Sequence, residues 1–132
     1  MKQHALEFGW EISFPGDWTS EQDADGTYIF YPPNDSTTAY ATVFHAEKQG
    51  ESAPLEVMVS AFMRSLPKNV KEIPLSVEGH SCKAFYSKDS DGVYRIIAGF
   101  FAEGDLLSLN VYSEKESAVW SVLEYFKSVT RR

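Results

Sequence analysis

Cysteine is almost absent from this chain, Cys82 being the single copy among 132 residues. No internal disulfide can form, and one thiol cannot complete a thiolate metal site. Basic residues are also scarce, 12 Lys and Arg against 19 Asp and Glu, for a net charge of −7. They are scattered, and even Arg131-Arg132 is only a two-residue tail. A surface of that sign repels phosphate backbones and anionic headgroups, which argues against nucleic-acid and membrane partners. No apolar run approaches a membrane span, and residues 1–9 hold no signal-peptide stretch. The expectation is a cytoplasmic protein, or an exported one if a leader has been removed. The catalytic signatures G-x-S-x-G, G-x-G-x-x-G and the P-loop do not occur.

What is present is a chain able to bury a core, with 43% hydrophobic and 14% aromatic residues. Phe8, Trp10, Ile12 and Phe14 alternate with small or polar residues, which predicts a strand with one apolar face. Short strands are expected at 28–31, ended by Pro32-Pro33, and at 38–47. In the latter, Tyr40, Thr42 and Phe44 face one way and Ala41, Val43 and His45 the other. Leu55, Met58, Val59, Phe62 and Leu66 keep helical spacing after Pro54, and Pro67 closes that helix. Further strands at 71–77, 82–88, 93–102 and 106–112 are separated by short Gly-containing breaks, so neighbours should be antiparallel. The run 93–101 is apolar on both sides except at Arg95, as for a central strand covered on two faces. Ser113 to Glu116 reads as a capping box opening a last helix with a Val119, Val122, Leu123, Phe126 stripe. Arg131 and Arg132 would then suit its C-terminal end. The order βββ–α–ββββ–α describes a single α+β domain over residues 1–132, built on an antiparallel sheet.

Two segments, starting at Asp23 and Asp89, share the pattern D-x-D-G ahead of a strand. A calcium loop of EF-hand type needs a bidentate Glu at its twelfth position. Those places hold Asn34 and Phe100, and the usual third ligand positions hold Thr27 and Val93. Asp-Gly is a favoured turn pair, so both segments read as turns and no metal is expected. His80 and Cys82 lie two apart, where strand side chains point in parallel rather than at each other, so a nucleophile pair is not expected. His4, His45 and His80 have no zinc spacing. Nine Phe, seven Tyr and three Trp exceed what a core of this size needs. Trp18, Tyr31, Tyr40 and Trp120 are the candidates for a partly exposed binding surface with aromatic anchors.

Phe14-Pro15-Gly16-Asp17-Trp18 resembles the F-x-x-P-x-x-W start of the Mog1/PsbP-like superfamily, which includes DcrB-type bacterial proteins; the Phe and Pro stand closer together here. The helix after Phe44, the later strand meander, and Val111-Tyr112-Ser113 with Phe126-Lys127-Ser128-Val129 are similar too. The resemblance implies an antiparallel sheet flanked by helices, an α/β/α sandwich. Its members include a Ran-binding protein, photosystem subunits and chaperones of secreted effectors, and few are enzymes. No binding motif carries over residue by residue, so the resemblance speaks for fold more than for function.

The functional expectation is a non-catalytic adaptor, chaperone or immunity-like protein of a bacterium, without a cofactor and binding another protein. A homodimer through an edge strand is compatible with the pattern. The alternative is a small-ligand-binding domain with its pocket between sheet and helix.

Overall fold

A computed structural model of the chain describes residues 1–33 and 35–132. Asn34, the twelfth position counted from Asp23, lies outside the described residues. The strands are β1 (Lys2–Ala5), β2 (Trp10–Phe14), β3 (Thr19–Gln22), β4 (Tyr28–Tyr31), β5 (Thr38–His45), β6 (Glu47–Lys48) and β7 (Glu51–Ser52). Helix α1 (Leu55–Ser65) follows, then β8 (Lys71–Ile73), β9 (Ser81–Lys88), β10 (Tyr94–Ala102) and β11 (Asp105–Ser113). Helix α2 (Glu116–Phe126) and β12 (Thr130–Arg131) close the chain.

Seven strands form one antiparallel sheet in the order β3-β4-β5-β11-β10-β9-β8. Both of its edges are short strands, which blunts them against further pairing. A helix packs on each face, so the α+β sandwich expected from the sequence is what the chain adopts. The period-two logic is plainest in β10. Ile96, Ala98 and Phe100 join the core beneath α2, while Ile97 and Phe101 join the core beneath α1. On the α2 side, Trp10, Ile12 and Phe14 of β2 pack with Phe30, Phe100, Val119, Val122 and Phe126. Each large side chain buried there contributes about 2–3 kcal/mol by removal from water. The α1 core is smaller: Met58 and Phe62 sit on Phe85, Ile97, Phe101 and Leu106. Gly99 lies under α1 because a Cβ there would stand 2.9 Å from the rings of Phe62 and Phe101.

Four local expectations are corrected. Phe8 is not part of the β2 face; it adopts φ 56° in a 3-10 turn (Glu7–Gly9), is 48% exposed, and stacks on His45 at 4.4 Å. The Ser113 capping box does not form. Ser113 ends β11, its hydroxyl accepts the Lys115 N–H at 3.1 Å and meets the Thr37 hydroxyl at 2.8 Å, and α2 starts at Glu116. Arg131 does not belong to a helix end. Thr130 and Arg131 pair with Glu11 and Trp10, making β2 the middle of a three-stranded sheet with β1 and β12. The strand expected at 71–77 pairs only over Lys71–Ile73.

Candidate functional site

The two D-x-D-G segments adopt the same turn. In the first, the Asp23 carboxylate accepts the N–H groups of Asp25 and Thr27 at 2.9 and 3.0 Å, and Gly26 takes φ 86°. In the second, Asp89 accepts from Asp91 and Val93 at 2.8 and 3.0 Å, and Gly92 takes φ 79°. One carboxylate oxygen per loop is thus committed to its own backbone, and glycine supplies the left-handed residue that the turn requires. Among the described residues, no group of three or more His, Cys, Asp or Glu side chains is placed to hold a metal.

A cleft opens where α1 stops covering its face of the sheet. Helix α1 packs over β10 and β11, and part of β11 and the neighbouring β5 carry polar side chains on that face. Thr42 stands opposite Ser108, and Asn110 opposite Tyr40. Val57, Ala61 and Ser65, each four apart, form one wall along α1. Phe44, Ile97 and Leu106 add apolar surface, and the open cleft has a volume of about 630 Å³. The core stops here because Ala61 and Ser65 are short and face the equally short Thr42 and Ser108 across the cleft.

Arg95 lies on that floor and also lines an adjoining hollow with Asp23, Thr27, Tyr40, Asn110 and Tyr112. Its guanidinium rests over the ring of Tyr112, its direct cross-strand partner, 4.8 Å from the centroid. One Nη2–H donates to Asn110 Oδ1 at 2.8 Å. The Nε–H is buried and has no acceptor among the described residues.

His45, whose side chain leaves β5 on the face opposite Phe44, is held between two carboxylates. Its Nδ1 lies 2.7 Å from Asp105 Oδ1 and its Nε2 3.2 Å from Glu47 Oε2. Asp105 is only 2% exposed and also pairs with Arg131 of β12. Hydrogen bonds to Asp105 first, then to Glu47, raise the His45 pKa above 6.5. Because the folded-state pKa is raised, the stabilisation is fully present below the unfolded value and is lost as pH rises through the folded one. Thermal melting should therefore show the wild-type Tm falling, relative to a His45→Gln variant, as pH rises above about 6.5. Parallel pH profiles would show that His45 has the same pKa in the folded and unfolded states.

The aromatic candidates do not form one patch. Trp18 is half-buried on the α2 side, stacked on Phe14 at 5.1 Å and edge-on to Tyr125 at 5.8 Å. Trp120 leaves α2 in another direction, stacking on Tyr86 of β9 at 5.0 Å, and is 37% exposed. Tyr86 donates to Glu116 at 2.5 Å, and burial first, then that hydrogen bond, pushes its pKa up to about 12. Tyr31 and Tyr40 are half-buried on the α1 side. Tyr31 donates to Glu21 at 2.9 Å, whereas Tyr40 packs edge-on to Tyr112 at 5.9 Å beside Arg95. His80 and Cys82 separate as well. His80 lies near Trp10 and Phe100, while the Cys82 thiol donates to the Leu75 carbonyl at 3.6 Å and burial raises its pKa. Arg95 is the site residue that sequence reasoning passed over. Its only signal was that it interrupts an otherwise apolar strand.

No protein-family model and no curated protein sequence matches the chain. Solved structures do. A crystal structure from Bacteroides thetaiotaomicron superposes with a TM-score of 0.72 at 11% identity, covering 99% of this chain and 48% of that one. The present chain therefore spans about half the length of that protein. The solution structure of cyanobacterial PsbP (CyanoP) from Synechocystis superposes with a TM-score of 0.64 at 9% identity, covering 99% of this chain and 92% of that one. At such identities the likeness concerns the fold, which is of the Mog1/PsbP-like type expected from the sequence. No helix among the described residues is long and apolar enough to cross a membrane.

Proposed function

We propose that this protein is a non-catalytic binding domain that receives a small, largely apolar molecule between the sheet and α1. The observation that carries the reading is the cleft of about 630 Å³, within the range of ligand pockets and lined by apolar side chains with a few convergent polar ones. A catalytic role has less support, because His45 faces a carboxylate at each ring nitrogen. A bacterial, cytoplasmic setting belongs to the same proposal, supported by the near absence of cysteine and by two bacterial structural neighbours.

The reading is tested with Nile red, a neutral solvatochromic dye. Saturable binding to the wild-type protein is expected, and its loss in an Ala61→Trp variant whose melting curve stays cooperative. Equal dye binding by the two proteins would remove the cleft as the site.

A second reading, an adaptor or chaperone that binds another protein, is favoured by exposed apolar side chains on and beside α1: Phe44, Leu55, Val57 and Met63. Trp18 and Trp120 would serve it only as separate anchors, because Trp18, ahead of β3, packs on Phe14 and Tyr125 while Trp120 leaves α2 to stack on Tyr86.

A further inference from the structure

The chain carries 12 basic residues, and Arg95 is set apart from the rest by its surroundings. Among the described residues, the other cation that is not exposed along β9 and β10 is Lys83, and it pairs with Glu72 at 3.7 Å. Arg131 and Arg132 each reach a buried carboxylate, Asp105 and Glu11. Arg95 is half-buried on the cleft floor and makes no ion pair among the described residues, in a protein with 19 acidic side chains. Asp23 shares the adjoining hollow, but it forms no ion pair with Arg95 and its Oδ1 is held by two backbone N–H groups.

Partial burial of a guanidinium is unfavourable unless an acceptor or an anion compensates it. Asn110 accepts one of the five N–H donors, and the Tyr112 face orients the plane. The buried Nε–H remains without a partner among the described residues. A positioned, charged fork with spare donors beside an apolar wall is complementary to one kind of molecule, an anionic head on an apolar body.

We propose that the cleft binds a small amphipathic anion, its carboxylate or phosphate head on Arg95 and its apolar body along Val57, Ala61 and Leu106. This rests on the binding-domain reading above and adds the chemical class of the ligand. The occupant's charge also accounts for a half-buried cation that, among the described residues, is left without a carboxylate of the protein's own.

The test is competition against bound Nile red by octanoate, octyl phosphate and octanol, on the wild type and on Arg95→Gln and Arg95→Lys. Octanoate or octyl phosphate should displace the dye from the wild type at least about tenfold more effectively than from Arg95→Gln, with octanol unchanged between the two. Arg95→Lys should fall between, retaining charge without the fork. Whichever of the two anions competes more strongly identifies the head group. Equal competition by octanol and octanoate, unaffected by Arg95→Gln, would overturn the anion assignment and leave the cleft intact as a neutral apolar site. Dye that does not bind the wild type at all would remove both readings. Displacement by an acidic peptide but by neither anion would replace the small molecule with a protein segment. If Arg95→Gln does not melt cooperatively, Arg95→Lys against the wild type carries the comparison.

Discussion

Replacing Trp10 with alanine is expected to lower the unfolding free energy by about 4 kcal/mol, measured by urea denaturation. Trp10 is fully buried and is among the largest side chains in the α2-side core. It opens β2, the middle strand of the small sheet, and stands opposite Arg131 of β12. The Arg131 guanidinium lies over its ring, 5.4 Å from the centroid, and His80 approaches to 6.2 Å. Truncation therefore loses transfer energy, leaves a cavity among side chains held by the strands around them, and removes the surface on which Arg131 rests. Trp10→Phe should cost far less, because it retains most of the apolar volume and deletes an indole N–H that is buried without an acceptor among the described residues. A loss below about 1 kcal/mol for the alanine variant would mean that β2 collapses freely into the gap, contrary to the close packing seen around it.

Asp105→Ala should cost about 3 kcal/mol. Asp105 accepts from His45 on one oxygen and from Arg131 on the other, so one buried carboxylate ties β5 and β12 to the start of β11. Removing it leaves Arg131 and His45 without their shared buried acceptor, and that loss exceeds what a surface ion pair contributes. The variant should also shrink the His45-linked fall in Tm above about pH 6.5, since the larger cause of the raised pKa is gone and only Glu47 remains. Asp105→Asn, which keeps an acceptor oxygen, should lie between. Because Arg131 touches both Asp105 and Trp10, the Trp10→Ala and Asp105→Ala costs should not add. Strict additivity, or an Asp105→Ala protein that keeps the wild-type pH slope, would show that the three groups do not act together.

Much of this architecture follows from patterns shorter than fifteen residues. The apolar stripes of α1 and α2, the alternation through β2 and β5, and the two-sided apolar run of β10 each record a face before any partner is known. The D-x-D-G turns are similarly local, since every hydrogen bond that shapes them closes within four residues. Strands β1, β3 and β12 were hidden because their side chains are mostly polar and exposed; their partners' backbones make them strands. Ser113 shows the converse. The capping spacing is present in the chain, but the hydroxyl meets Thr37, 76 residues away, and the strand runs one residue longer.

The candidate site belongs to long-range geometry almost throughout. Its cleft exists because α1 covers only part of one sheet face, which depends on how the helix lies and not on its own spacing. His45 and Asp105 come together across 60 residues and Arg131 joins them across 26, so no window of sequence contains the cluster. The amino-acid order marked Arg95 as the charge that breaks an apolar strand. That it has no carboxylate partner among the described residues, lies against Tyr112 and opens onto a cleft was settled by the packing, because ion pairing depends on distances that only the assembled sheet and helices define.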